Sequence, residues 1–151
     1  MECKIISKKN QNQNQNQNQN IPLYRNLFEP NSDIYELTLK DFIIRKNQIH
    51  IRNKIFQEGY TFILFYAPWC HHCKEFKKDY ENIASNFLQS FKFGAINVEN
   101  VRDGNDKLRM YAKITSIPQL RYINRNGDLE KFPYILNYDD IIYYISLKLT
   151  H

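Results

Sequence analysis

The chain has 151 residues, with 21 Lys and Arg against 16 Asp and Glu and a net charge of +5. That length suits one domain with a full hydrophobic core. The charge surplus is small and spread out. Its densest stretch, Arg45, Lys46, Arg52 and Lys54, reads as a solvated helix face and gives no nucleic-acid site. No run is long and apolar enough for a membrane span, so no membrane partner is expected.

Residues 11–20 alternate Gln and Asn without a break. Such a tract has nothing to bury, so residues 1–31 are expected to form a disordered tail, with Cys3 in it as an inert free thiol. The folded domain is expected over residues 32–151. Ile34-Tyr35-Glu36-Leu37 reads as a short strand. From Lys40 to about Gln57, the spacing of Phe42, Ile43, Ile49, Ile55 and Phe56 predicts a helix that ends near Gly59. Tyr60 to Tyr66 is a continuous apolar run of the kind found in central parallel strands. Cys73, Phe76, Tyr80, Ile83, Ala84 and Phe87 then follow helical spacing from Cys70 onward. Phe91 to Val98 is the next strand, and Asp103-Gly104-Asn105-Asp106 caps a short helix through Tyr111. Gln119–Asn124 and Leu129–Phe132 form two strands joined through Asn126-Gly127, a strong hairpin signal. Asp139 to Leu149 closes the chain as an amphipathic helix with Ile141, Ile142, Ile145 and Leu149 inward.

The chemistry is concentrated at Pro68-Trp69-Cys70-His71-His72-Cys73, where the central strand gives way to a helix. Two cysteines three apart share the first helical turn and can close a small disulfide, Cys70–Cys73. The first lies where unpaired backbone N–H groups and the helix dipole favour a thiolate. A zinc site is the bland alternative. Four consecutive residues cannot all converge on one tetrahedral ion, however, and the other candidate ligands, Cys3, His50 and His151, are scattered. The redox reading is therefore preferred, with no metal and no cofactor.

The words Phe65-Tyr66-Ala67-Pro68-Trp69-Cys70-x-His72-Cys73-Lys74 resemble the active site of the thioredoxin superfamily and are most similar to a protein disulfide isomerase-type domain. Leu37-Thr38 with Phe42 resembles the opening of such domains, and the likeness extends over roughly residues 33–149. It implies the α/β thioredoxin fold, a central mixed sheet flanked by helices in the order β-α-β-α-β-α-β-β-α. It also implies that Ile117-Pro118, just before a strand, carries a cis peptide bond beside the dithiol. The Ile117 backbone would then pair with an extended substrate chain.

By the same resemblance, Cys70 is the exposed nucleophile and Cys73 the resolving thiol. Trp69, His71 and His72 tune the site, and Ile117 and Pro118 bind substrate. The expected activity is thiol–disulfide oxidoreduction on protein or peptide thiols and disulfides, with an unidentified redox partner. The alternative is a thioredoxin-fold binding or packaging module with little turnover. Three departures stand out. Leu64, six residues before Cys70, replaces a buried acidic residue that relays a proton to the second thiol. Lys78 replaces a helix-kinking proline, and Leu136 a mobile arginine. Such domains usually work in the secretory pathway, yet Met1–Asn20 carries only Ile5-Ile6 as apolar content and the last residues are no retention signal. The expected compartment is the cytoplasm, with the virion of a large DNA virus as the alternative.

Overall fold

The computed structural model describes residues 2–5 and 25–150. The Gln/Asn tract lies outside them. The strands are β1 (Cys3–Lys4), β2 (Ile34–Glu36), β3 (Phe42–Arg45), β4 (Gln48–Ile51), β5 (Tyr60–Tyr66), β6 (Phe91–Asn97), β7 (Ser116–Ile117), β8 (Gln119–Ile123) and β9 (Leu129–Lys131). The helices are α1 (His71–Asn86), α2 (Asn105–Tyr111) and α3 (Tyr138–Leu149).

The main sheet has the order β2-β6-β5-β8-β9. β2 and β5 run parallel to β6, while β8 is antiparallel to both β5 and β9. β5 lies at the centre, and Phe62, Ile63, Leu64, Phe65 and Tyr66 are all fully buried. Burial on both faces explains why this strand is apolar throughout instead of alternating. On one face Phe62 stacks on Phe91 and Phe93 and meets Tyr144 of α3 edge-on, with centroids 5.8 Å apart. Tyr80 of α1 covers the same face, and its hydroxyl donates to the Gly94 carbonyl at 2.7 Å.

The helix expected between Lys40 and Gln57 is instead a β-hairpin. β3 and β4 pair antiparallel, Phe42 opposite Ile51 and Arg45 opposite Gln48, with short 3-10 turns at Leu39–Asp41 and Lys54–Gln57. The reason is local. Ile43, Ile44, Ile49 and Ile51 are β-branched and favour strands, and Lys46 takes a left-handed conformation (φ 52°) that closes a tight turn. Arg45, Lys46, Arg52 and Lys54 are exposed as expected, but on this hairpin and its flank. Phe56, just beyond the hairpin, is buried against Tyr35 of β2 at 5.1 Å, ring edge to ring face.

Two segments ahead of Ser32 also join the fold. Phe28 is 2% exposed and packs edge-on against Tyr66 and Tyr80. β1 pairs antiparallel with β7, far from it in sequence.

Candidate active site

β5 ends at Tyr66 and the chain turns through Ala67-Pro68-Trp69, with the Cys70 N–H donating to the Ala67 carbonyl (3.1 Å). Cys70 is the N-cap of α1, and its side chain makes no capping hydrogen bond. Cys70 thus stands at the N-terminus of a helix of 16 residues, where unpaired first-turn N–H groups and the helix dipole favour negative charge. Cys73 is one turn on, fully buried under the sheet. Burial pushes its thiol up to about 11, opposed in part by the Ala67 backbone.

Opposite the dithiol, the Ile117–Pro118 peptide bond is cis. Both residues are buried, and the Ile117 carbonyl oxygen lies 3.7 Å from Cys70 Sγ. Trp69, beside Cys70 in the chain, is 45% exposed. His71 and His72 begin α1, and both turn toward one carboxylate. His71 Nε2 and His72 Nδ1 each lie 3.3 Å from a Glu75 oxygen. His71 is the more exposed of the two. Ile135 and Leu136 give the neighbouring cleft an apolar wall beside His72 and Pro118.

Two features correct the sequence reading. First, Cys70 is neither exposed nor joined to Cys73 here. It forms a disulfide with Cys3, and Cys73 is a free thiol. Cys3 lies opposite Ile117 and Lys4 opposite Ser116, and the Ile5 N–H donates to the Thr115 carbonyl (2.9 Å). This short strand covers Cys70, so Cys3 is not inert. No local pattern in the sequence announces a partner 67 residues away.

Second, a half-buried acid is present after all, on another strand. Glu36 and Leu64 both lie opposite Ala95 of β6, so they share one row across the sheet. The Glu36 carboxylate accepts hydrogen bonds from the Tyr66 hydroxyl and from the Phe28 N–H. Burial pushes its pKa from 4.5 up to about 7, against the lowering effect of those two donors. Tyr66 is held protonated by burial first and then by Glu36, and Cys73 contributes in the same direction. The Tyr66 hydroxyl thus bonds the carboxyl and also feels the charge of a Cys73 thiolate. The Leu27 N–H donates to the Tyr66 hydroxyl (3.1 Å), and Asn97 holds the Arg25 carbonyl and the Asn26 side chain, which closes this corner of the site. Among the described residues, no three His, Cys, Asp or Glu side chains gather as a metal site, and no helix is long and apolar enough to cross a membrane.

The thioredoxin family model matches residues 43–146. A Dictyostelium discoideum protein described as a disulfide isomerase is 32% identical over 99 residues, which is 66% of this chain and 21% of that protein. Protein disulfide-isomerase A5 of Mus musculus is 28% identical over 83 residues, or 55% of this chain and 16% of that protein. A protein disulfide-isomerase of Datisca glomerata is 26% identical over 102 residues, 65% of this chain and 20% of that protein. The chain thus spans only about a fifth of the length of these relatives. The family match covers well over half of the chain and takes in β4–β6, β8, β9, α1 and the Ile117-Pro118 loop, so the chain belongs to the thioredoxin family.

Proposed function

We propose that this domain is a protein thiol–disulfide oxidoreductase. The observation that carries the reading is the position of Cys70, at the N-terminus of α1 and beside the Ile117 backbone, with a second thiol one turn behind it. The Cys70 thiolate attacks a substrate disulfide, a mixed disulfide forms, and one substrate thiol leaves. Cys73 then gives up its proton and attacks Cys70. A Cys70–Cys73 disulfide forms and the reduced substrate departs. The reverse sequence oxidises a substrate dithiol.

Ile117 supplies a backbone edge for an extended substrate, and Pro118 and Trp69 bound the groove. His71 and His72 bias the dithiol toward its reduced form by favouring the thiolate. The Tyr66–Glu36 pair offers an acceptor for the Cys73 proton in place of the acid missing at Leu64. Substrates are proteins or peptides bearing thiols or disulfides.

Reduction of insulin by dithiothreitol, followed by turbidity, tests the reading. The wild-type chain accelerates it and Cys70→Ser does not. An acceleration that survives Cys70→Ser removes Cys70 from the chemistry, and no acceleration by either protein leaves a binding module with little turnover.

A further inference from the structure

We propose that Cys3 is a third redox-active cysteine of this site. The segment Glu2–Ile5 acts as a tethered substrate, seated on the Ile117 edge and released when its disulfide is exchanged onto Cys73. This rests on the reading of Cys70 as the attacking thiol.

Three observations meet at one place. Cys3 is covalently joined to Cys70, the sulfur that a substrate cysteine would engage. The segment is held as an added strand, with Cys3 opposite Ile117, Lys4 opposite Ser116 and the Ile5 N–H on the Thr115 carbonyl. That is how an extended peptide adds to a sheet edge. The residue before Cys3 borders a cleft. Glu2 is exposed and forms one wall of a cleft of about 370 Å³, together with His72, Glu75, Phe76, Pro118 and Ile135. Cys70 and Ile117 are both fully buried with β1 in place, so an outside substrate and this strand cannot occupy the edge together.

The exchange balances within the chain. Cys73 loses its proton and its sulfur attacks Cys70 Sγ. The Cys70–Cys73 bond forms as the Cys3–Cys70 bond breaks, and Cys3 leaves with the electron pair and takes up a proton. One disulfide and one thiol are present before and after, so no outside oxidant or reductant is consumed. Burial of Cys73 keeps its thiolate scarce near neutral pH, which slows the opening step. The tether makes Cys3 an intramolecular competitor, present at an effective concentration that a dilute substrate does not match. The oxidised protein therefore has two forms, one closed on Cys3 and one open and loaded at Cys70–Cys73. The register also gives the direction in which a true substrate lies, with its cysteine opposite Ile117 and its preceding residue at the edge of the cleft beside His72.

The test uses the full chain in a glutathione redox buffer, non-reducing peptide mass mapping of the monomer fraction, and insulin as the trapped substrate. The wild-type monomer yields a Cys3–Cys70 peptide, and Cys73→Ser converts almost wholly to it. Cys3→Ser/Cys73→Ser traps at least tenfold more insulin chain than Cys73→Ser does. Ile5→Pro removes the donor to Thr115 and shifts the wild-type map toward Cys70–Cys73, without slowing alkylation of reduced Cys70. Absence of the Cys3–Cys70 peptide from both the wild-type and the Cys73→Ser monomer overturns the proposal. So does equal trapping by Cys73→Ser and the double variant. A double variant that traps no insulin overturns the nucleophile role of Cys70 instead, and the peptide map then still decides the question of Cys3.

Discussion

Glu36→Gln isolates the effect of the half-buried Glu36 carboxyl on stability. Below pH 4.5 the Glu36 carboxyl is protonated in both the folded and the unfolded chain, and its burial carries no ionisation penalty. Between 4.5 and about 7 the unfolded chain releases this proton and the folded chain keeps it, so each rise in pH favours unfolding. Above 7 the loss is complete. The interval from 4.5 to about 7, at roughly 1.36 kcal/mol per pH unit, amounts to about 3 kcal/mol. Set against a typical domain stability of about 5–15 kcal/mol, this is large enough to measure. Gln keeps a carbonyl oxygen for the Tyr66 hydroxyl and the Phe28 N–H and removes the titration. Urea unfolding of wild type and Glu36→Gln at several pH values between 4 and 8.5 gives two curves whose difference cancels the histidines and the other carboxylates. The advantage of wild type over the variant should fall by about 3 kcal/mol across that window. A difference that stays flat, or that grows with pH, would refute the assignment of a raised pKa to Glu36.

Other outcomes follow from the same geometry. In the fully reduced protein, iodoacetamide at pH 7.5 should label Cys70 well before Cys73, whose buried thiol near 11 becomes reactive only in strong alkali; faster labelling of Cys73 would reverse their roles. The reduction potential of the Cys70–Cys73 couple, measured in Cys3→Ser against glutathione, should lie nearer the isomerase value of about −180 mV than the thioredoxin value of about −270 mV. His72→Pro should make it more reducing, and a wild-type value at or below the thioredoxin figure would contradict the role given to the imidazoles. Leu64→Glu should lower stability by several kcal/mol, because it buries a second carboxyl in the row that holds Glu36. It should also speed resolution by Cys73 more in a Glu36→Gln background than in wild type. Equal acceleration in both would mean that Glu36 does not serve Cys73.

The parts of the fold governed by local pattern were legible from the sequence. The apolar run of β5, the helical spacing after Cys70 and the Asn126-Gly127 turn each carry their own signal, and they fix the frame around the dithiol. The hairpin at β3 and β4 was misread because Phe42, Ile43, Ile49, Ile55 and Phe56 also fit a helical face. The β-branched run and a turn at Lys46-Asn47 argued for strands, and they prevailed. The missed parts of the site share a different cause. Glu36 reaches the Tyr66 hydroxyl from two strands away, and Cys3 reaches Cys70 across 67 residues. Such pairings are set by sheet order and strand register, which a motif centred on Cys70 does not contain.

The turn between β8 and β9 allows the domain to be handled without disturbing its chemistry. Gly127 has φ 89°, and a Cβ there would lie 2.6 Å from the His50 ring and 2.7 Å from the Gln57 amide. His50 in turn meets the Asp128 carboxylate at 3.2 Å, and the Ile51 N–H donates to the Gly127 carbonyl (2.8 Å). This clasp joins the two hairpins at the end of the sheet where β5 begins, since Ile123 lies opposite Thr61. The sulfurs lie beyond the other end of β5, roughly 16 Å along the strand at about 3.3 Å per residue. Arg125 and Asn126 are exposed at the tip. A fluorophore, a surface anchor or an inserted reporter at these two positions would face away from the thiols and leave Gly127 untouched. The domain could thus be immobilised or tracked with its reactive end open to solution.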